Sequence, residues 1–290
     1  MKKLSLMLAA ALSMSLLTAC GDSSSSESGA ASSQTEESTA ASSAESSVQE
    51  QEQATYKSIK LMTFGDSITD GFWLSGGYRT FLCNKLEEND LSQYVDFVGK
   101  KTGGDCYDNE HEGYTGYSIE RIMDSITGSR MGLMNIAEKR LEDNSPDVVT
   151  LMVGTNDILS HYELDKAGER LEALVDVVLS YIPEDGMLFL ATIPDMDSTA
   201  KIPDATDDYD TYIDQDTFTS EYMDQCVSDY NEKVKALVEK KKSEGKNIEL
   251  ADVHSALTKD DLYDGVHPSE EGYKKLGDFW YDIISEYIKQ

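Results

Sequence analysis

Basic residues are scarce in this chain of 290 residues, in which 25 Lys and Arg stand against 55 Asp and Glu and give a formal net charge of −30. A surface with so few cations repels phosphate backbones and anionic lipid headgroups. We therefore expect no nucleic-acid binding and no lipase activity that depends on basic contacts with a lipid surface. A neutral substrate such as a polysaccharide suits this charge, although a need for solubility would explain it equally well.

Cysteine is also rare, with four in the chain. No CxxC pair and no Cys/His spacing typical of zinc sites occurs, so the sequence predicts no zinc site and assigns no metal ligand. Cys20 belongs to the N-terminal segment, which leaves Cys83, Cys106 and Cys226 for the folded domain. Three is an odd number, so at most one disulfide forms there and one thiol stays free. A Cys83–Cys106 pair is conceivable, but the sequence does not establish it.

The N-terminus has no apolar run long enough for a comfortable membrane span. Residues 1–19 combine two lysines with a short apolar stretch, which is typical of an export signal. The stretch ends in Leu-Thr-Ala-Cys at 17–20, which resembles the lipobox of bacterial lipoproteins. The resemblance implies a signal peptide over 1–19, lipidation of Cys20, and anchoring at the extracellular face of the cytoplasmic membrane through that lipid alone. An ordinary secretory signal followed by an unrelated cysteine is the alternative.

The segment after Cys20 has almost no apolar residues and consists largely of Ser, Ala, Glu and Gln. Such a composition cannot bury enough surface to offset the entropy lost on ordering. We predict a disordered tether over 20–54 and one folded domain over 55–290. A flexible tether of this length has a root-mean-square span of roughly 30 Å.

Short apolar runs alternate with amphipathic stretches from residue 57 onward, which predicts an α/β domain with a parallel sheet covered on both faces. Helical spacing of apolar residues occurs within 119–126, 164–181 and 273–287. The predicted strands are 59–64, 94–98, 148–153, 187–193 and 248–253.

Polar blocks follow four of these strands, at the edge of a parallel sheet where ligand sites gather. They are GDSITDGF (65–72), NEHEGYTGYSI (109–119), VGTNDIL (153–159) and DGVHPSEEGY (264–273). Together they supply a serine, an asparagine amide, glycines that let a backbone approach a ligand, and an Asp and a His three residues apart.

Acyl transfer needs these residue types. Ser67 is a candidate nucleophile, His267 the base that takes its proton, and Asp264 the carboxylate that orients the imidazole. The backbone N–H groups of Ser67 and Gly116 and the amide of Asn156 are candidates for the oxyanion hole. The alternatives are structural: Ser67 as a turn former, and Asn156 as the cap of a helix.

The order of Gly-Asp-Ser, a later glycine, Gly-Thr-Asn-Asp and Asp-x-x-His-Pro resembles the SGNH, or GDSL, hydrolase superfamily over residues 57–290. The resemblance implies a three-layer α/β/α sandwich with a five-stranded parallel, flavodoxin-like sheet. It also assigns Ser67, Asp264 and His267 as the catalytic residues, and Gly116 and Asn156 as oxyanion donors beside the Ser67 N–H.

Five blocks are similar to the acetyl xylan esterases of carbohydrate esterase family 3: GDSITDGF, GGYR (76–79), DFVGKKTGG (96–104), HEGYTGYSI and DGVHP. That branch commonly has Ser-Gly-Trp where this chain has Thr-Gly-Tyr at 115–117. The aromatic residue is kept, so Tyr117 is a candidate surface for a sugar, and so is Trp73. Asp66 and Asp157 are interpreted as structural.

These expectations combine into a membrane-tethered serine esterase that removes acetyl groups from a polysaccharide, acetylated xylan above all, through an acyl-enzyme. No cofactor is required, and a monomer is expected. The acidic segment 203–218 could be a lid, a structural Ca²⁺ site or a solvated loop. The alternatives are a lysophospholipase, a deacetylase of cell-wall glycan, and a solute-binding lipoprotein that is not an enzyme.

Overall fold

The computed structural model describes residues 54–124, 128–203, 213 and 218–290. The predicted signal, Cys20 and all but the last residue of the predicted tether lie outside the described residues, as does most of the acidic segment 203–218. None of the helices in the part of the chain that the structure describes is long and apolar enough to cross a membrane.

A mostly parallel sheet forms the centre of the domain. The strands of the described ranges are β1 (Ile59–Gly65), β2 (Val95–Phe97), β3 (Lys101–Thr102), β4 (Glu110–Gly113), β5 (Ile122–Asp124), β6 (Gly128–Arg130), β7 (Val148–Met152), β8 (Met187–Ala191) and β9 (Ile248–Ala251).

The central strand β1 organises this sheet. One side of β1 pairs in parallel with β7, and β8 and β9 continue the parallel order beyond it. The other side pairs with two strands in succession, β2 along its first half and β4 along its second half. β3 then pairs antiparallel with β4. All five predicted strands are confirmed in position, but the sheet has seven strands and not the five expected, because β3 and β4 extend it.

Helices connect the strands, with short 3₁₀ turns at 92–94, 133–135, 164–166 and 259–261. In the described residues they are α1 (Ser67–Asp70), α2 (Gly77–Glu88), α3 (Ala137–Asn144), α4 (Thr155–Leu159), α5 (Ala167–Tyr181), α6 (Ser220–Ser243), α7 (Val253–Ala256) and α8 (Glu270–Ile288).

The longer helices fall into two packed groups. α2 packs against α8, and α5 packs against both α3 and α6. The chain leaves β1 toward β2 in one direction and later runs from β7 to β9 in the opposite direction. Right-handed crossovers therefore place the two groups on opposite faces of the sheet. The result is the predicted three-layer α/β/α sandwich, with its core along β1, β7 and β8.

The helix predicted within 119–126 is wrong. Ile122 lies in β5, which forms an antiparallel hairpin with β6. Ile119 and Ile122 are fully buried, but Met123 is 67% exposed, so burial here does not follow one helical face. Ile126 lies outside the described residues. The other two helical spacings are confirmed as α5, with the 3₁₀ turn before it, and α8.

The cysteine pairing that the sequence left open is resolved. Cys83 of α2 and Cys106 form a disulfide, and Cys226 of α6 is buried with a free thiol. The disulfide ties α2 to the segment that joins β3 to β4, and β4 lies beside the second half of β1.

Asp66 links β1 to the short helix α1 and is completely buried. Its Oδ1 accepts a hydrogen bond from the backbone N–H of Ile68 at 3.1 Å and so caps α1. Burial disfavours the charged carboxylate and raises the pKa of Asp66 to about 6, although the Ile68 hydrogen bond and the nearby His267 oppose this shift. The structural role expected for Asp66 thus has a physical basis.

The raised pKa of Asp66 predicts how stability depends on pH. Between the unfolded pKa of 3.8 and the folded pKa of about 6, the folded state holds a proton that the unfolded state releases. Stability is therefore lost as pH rises through this window. Asp66→Asn keeps an oxygen for the cap without the charge. Its free energy of unfolding relative to the native protein should rise by roughly 2 kcal/mol between pH 4 and pH 7.

Urea unfolding at both pH values measures this difference, and Asp96→Asn, which changes an exposed carboxylate, is the control. An Asp66→Asn difference that does not change with pH contradicts the assignment.

Candidate active site

Three residues that are far apart in the sequence form one hydrogen-bonded line. Ser67 Oγ lies 2.9 Å from His267 Nε2, and His267 Nδ1 lies 2.8 Å from Asp264 Oδ2. All three side chains are buried. An ionised carboxylate only accepts hydrogen bonds, so Nδ1–H donates to Asp264. In the neutral imidazole Nε2 is then the acceptor, and the Ser67 hydroxyl donates to it.

Asp264 is held as a carboxylate by its own loop. Its Oδ1 accepts the backbone N–H groups of Val266 and His267 at 3.0 and 2.8 Å. Burial alone would raise the pKa of Asp264, but the His267 hydrogen bond and charge, together with these backbone donors, hold it below its usual range. The loop leads into α8, which begins at Glu270 with Ser269 as its cap.

Ser67 is the first residue of α1 and follows the end of β1 directly. Its carbonyl oxygen accepts the backbone N–H groups of Gly71 and Phe72, each at 3.0 Å, which closes a compact turn. The Phe72 ring packs on the His267 imidazole with 4.3 Å between centroids. The turn therefore presents the Ser67 hydroxyl at the carboxyl end of the central strand and also supports the histidine.

Gly116 lies in a tight turn after β4. The Tyr117 N–H donates to the Tyr114 carbonyl at 3.1 Å, and Gly116 has a φ of +80°, which glycine adopts without strain. Asp70 Oδ2 accepts from the Thr115 hydroxyl at 2.7 Å and so ties this turn to α1. The threonine of the Thr-Gly-Tyr block thus uses its hydroxyl for this contact.

A charge pair supports the same turn. Lys101 Nζ lies 2.6 Å from Asp70 Oδ1 and also donates to the Gly113 carbonyl at 2.7 Å. Burial opposes ionisation of Asp70, but the Lys101 and Thr115 hydrogen bonds outweigh it and hold its pKa below the usual range. The sequence analysis missed Asp70 and Lys101, because nothing local connects residues 31 positions apart.

Asn156 lies inside α4, after β7. Gly154 precedes the helix with a φ of +129°, and a Cβ on it would lie 2.3 Å from the Tyr230 ring. Gly154, not Asn156, is the cap position of α4, so the helix-cap alternative for Asn156 is wrong. The Asn156 Nδ2 donates to the Tyr117 carbonyl at 2.9 Å, which joins α4 to the Gly116 turn.

Three N–H donors at this edge of the sheet have no hydrogen-bond partner among the described residues. They are the backbone N–H groups of Ser67 and Gly116 and the second amide N–H of Asn156. They follow β1, β4 and β7, which are neighbours in the sheet. The predicted oxyanion donors thus come from adjacent strand ends and are available to a ligand.

Arg130 is a further site residue that the sequence analysis missed. It lies at the end of β6, and its Nη1 donates to Asn156 Oδ1 at 3.0 Å. The same nitrogen lies 3.9 Å from the position that a Cβ on Gly116 would take. Its only sequence signal is a basic residue in an acidic chain, close to the glycine block.

The two aromatic candidates lie on either side of this constellation. Trp73 is 40% exposed, stacks on Tyr263 with 4.4 Å between centroids, and donates from Nε1 to the Pro268 carbonyl at 3.0 Å. Tyr117 is partly buried and stacks on Tyr114. Trp73 therefore contacts the residue after His267, and Tyr117 contacts Asn156 through its carbonyl.

The other histidines have hydrogen-bond partners that do not belong to the line of Ser67, His267 and Asp264. The buried His111 accepts the Gly113 N–H, and burial lowers its pKa to about 3. His161 contacts the Tyr222 hydroxyl, and His254 contacts Asp195.

Asp157, which the sequence analysis interpreted as structural, accepts the Ile119 N–H at 2.9 Å and pairs with Arg170 at 3.0 Å. These contacts tie α4 to the segment before β5 and to α5.

Comparison with known proteins places this geometry in a family. The family model of GDSL-like lipases and acylhydrolases matches residues 61–280. A multidomain esterase of Ruminococcus flavefaciens is 33% identical over 246 residues, which is 80% of this chain and 29% of that protein. This chain thus spans less than a third of that relative's length.

Solved structures of similar proteins have the same fold as this chain. A family 3 carbohydrate esterase of Clostridium thermocellum is 27% identical, with a TM-score of 0.57 and coverage of 80% of this chain and all of the other. A family 3 carbohydrate esterase of Talaromyces cellulolyticus is 20% identical, with a TM-score of 0.59 and coverage of 79% and 98%, which supports the fold alone. Because the family model spans most of the domain and all the site residues, the chain belongs to the GDSL-like lipase/acylhydrolase family.

Proposed function

We propose that this protein is a serine esterase that works through an acyl-enzyme. The hydrogen-bonded line from Asp264 through His267 to Ser67 carries the proposal. A serine hydroxyl becomes an effective nucleophile when a base within hydrogen-bond reach takes its proton. A solute-binding protein has no need of such a line, so the geometry favours an enzyme over that alternative.

The proposed reaction starts with attack of Ser67 Oγ on the ester carbonyl carbon while His267 Nε2 takes the hydroxyl proton. The three available N–H donors stabilise the negative charge that develops on the carbonyl oxygen. Asp264 stabilises the imidazolium that forms at His267. His267 then gives the proton to the departing alcohol, which leaves an acyl group on Ser67. Water, activated by His267, releases the acid and restores the serine.

We propose acetylated carbohydrate, and acetylated xylan in particular, as the substrate. Two similar proteins are named as family 3 carbohydrate esterases, and one of them is above 25% identity. The exposed Trp73 ring beside the His267 loop offers a flat apolar surface of the kind that sugar rings pack on. The excess of acidic residues in the chain fits a neutral glycan better than an anionic lipid headgroup.

Replacing Ser67 tests the proposed nucleophile. Ser67→Ala should lower kcat for 4-nitrophenyl acetate by about 10⁴-fold or more, because the acyl-enzyme cannot form. Its thermal midpoint should change little, since the hydroxyl makes a single side-chain hydrogen bond. Ser92→Ala, in a 3₁₀ turn on the amino side of β2, is the matched control and should keep full activity. Hydrolysis retained by Ser67→Ala would rule out this residue as the nucleophile.

The substrate is tested with a panel of natural esters. We expect acetate release from acetylated xylan to exceed fatty-acid release from lysophospholipid and acetate release from O-acetylated peptidoglycan at equal ester concentration. Trp73→Ala should raise KM for acetylated xylan more than KM for ethyl acetate, because only the glycan has a ring that can stack on the Trp73 side chain. Preference for lysophospholipid or peptidoglycan would replace this substrate with one of the alternatives, while the esterase chemistry would stand.

A further inference from the structure

We propose that Arg130 is a positioning residue that orients the Asn156 amide so that its nitrogen faces the ester oxygen. This inference rests on the proposed esterase function, because it concerns how one oxyanion donor is held. Arg130 is not predicted to touch the reacting atoms. It acts through Asn156.

The orientation of an asparagine amide matters because its two ends have nearly the same shape and opposite chemistry. The nitrogen end donates hydrogen bonds, whereas the oxygen end only accepts them. An amide rotated by half a turn would present its oxygen to the negative charge that develops on the ester. That rotation would replace a stabilising contact with a repulsive one, so an oxyanion site needs a device that fixes the amide.

Two hydrogen bonds, one at each end of the amide, fix its orientation. Arg130 Nη1 lies 3.0 Å from Asn156 Oδ1, and the Tyr117 carbonyl lies 2.9 Å from Nδ2. A guanidinium only donates and a backbone carbonyl only accepts, so both contacts are satisfied by one orientation of the amide. The rotated amide would lose both. The second N–H of Nδ2 then stays available to a ligand.

The hairpin of β5 and β6 explains why Arg130 points toward the site. Arg130 lies directly opposite Ile122, and Ser129 lies opposite Met123. Residues opposite each other in an antiparallel pair project on the same face. Ile122 is fully buried, whereas Met123 is 67% exposed and Ser129 is exposed. The register therefore directs Arg130 inward, beside Gly116.

The charge of Arg130 is also not neutralised locally. No described carboxylate forms an ion pair with it, and its buried Nε has no hydrogen-bond partner among the described residues. Among the described residues, Asn156 Oδ1 is the one hydrogen-bond acceptor of Arg130. The positive charge of the guanidinium makes this hydrogen bond stronger than one from a neutral donor.

A double-mutant cycle tests the proposal on the full chain with 4-nitrophenyl acetate. Asn156→Ala should lower kcat about 100-fold or more, as the loss of one oxyanion donor does. Arg130→Met should lower kcat about tenfold or more, with KM within about twofold, because the lost contact matters mainly in the transition state. In the Asn156→Ala background, Arg130→Met should lower kcat by less than about twofold, since no amide remains to be oriented.

Two further variants separate positioning from structure and charge. Arg130→Lys keeps a donor that cannot accept, so it should recover most of the kcat that Arg130→Met loses. Arg121→Met removes an exposed positive charge just before β5 and should leave kcat unchanged. The thermal midpoint of each variant shows whether the protein remains folded. If Arg130→Met fails to fold, Arg130→Ala, which also removes the donor, takes its place in the cycle.

An equal loss of kcat in both backgrounds would overturn the proposal, because Arg130 would then act independently of Asn156. An unchanged kcat in Arg130→Met would overturn it too. An unmodified protein that hydrolyses no ester would instead reject the proposed function, so the two failures are distinguishable.

Discussion

Two hydrogen bonds, from Ser67 to His267 and from His267 to Asp264, join the first strand of the domain to the loop before its last helix. Each side chain is buried, so each polar atom must find its partner inside the protein. The direction of both bonds is set by the carboxylate, which only accepts. Because the carboxylate accepts a hydrogen bond from Nδ1–H, the Nε2 of a neutral imidazole is left as the acceptor that faces the serine. The chemistry of the site therefore starts from the ionised state of Asp264.

The sheet positions the other residues of the site around these two hydrogen bonds. β1 is paired along its length, so Ser67 emerges from the most constrained strand of the domain. The turn with Gly116 follows β4, and Asn156 follows β7, on the two sides of β1. Hydrogen bonds then join the segments that follow neighbouring strands. Asp70 accepts one from Thr115, and Asn156 is hydrogen-bonded to Tyr117 and Arg130. A donor set of this kind is rigid before a substrate arrives, which is what electrostatic stabilisation of a transition state requires.

The sequence predicted those parts of the fold in which apolar runs or motifs carry the signal. The five strands of the parallel core appear where Val, Ile, Leu and Phe cluster, and α5 and α8 appear where apolar residues recur at helical spacing. β3 and β4 could not be found in this way, since polar and charged residues such as Lys101 and Glu110 dominate them. They are strands because they extend a sheet edge. The β5–β6 hairpin was mistaken for a helix because isoleucines at 119 and 122 happen to be three apart.

The residues of the candidate site also fall into those that the sequence predicted and those that it missed. Ser67, Gly116, Asn156, Asp264 and His267 were predicted because each lies in a short block that follows a strand. Arg130, Asp70 and Lys101 were not, because their roles depend on contacts between elements that no local pattern records. The motif residues thus carry the chemistry, whereas the residues that hold them in place become visible through the three-dimensional structure.

Covalent labelling tests the central claim most directly. A fluorophosphonate probe reacts with a serine that a neighbouring base activates. After labelling of the folded protein and digestion, mass spectrometry should place the adduct on Ser67, and His267→Ala should abolish the labelling. An adduct on another residue, or undiminished labelling of Ser67 in the His267→Ala variant, would contradict the account.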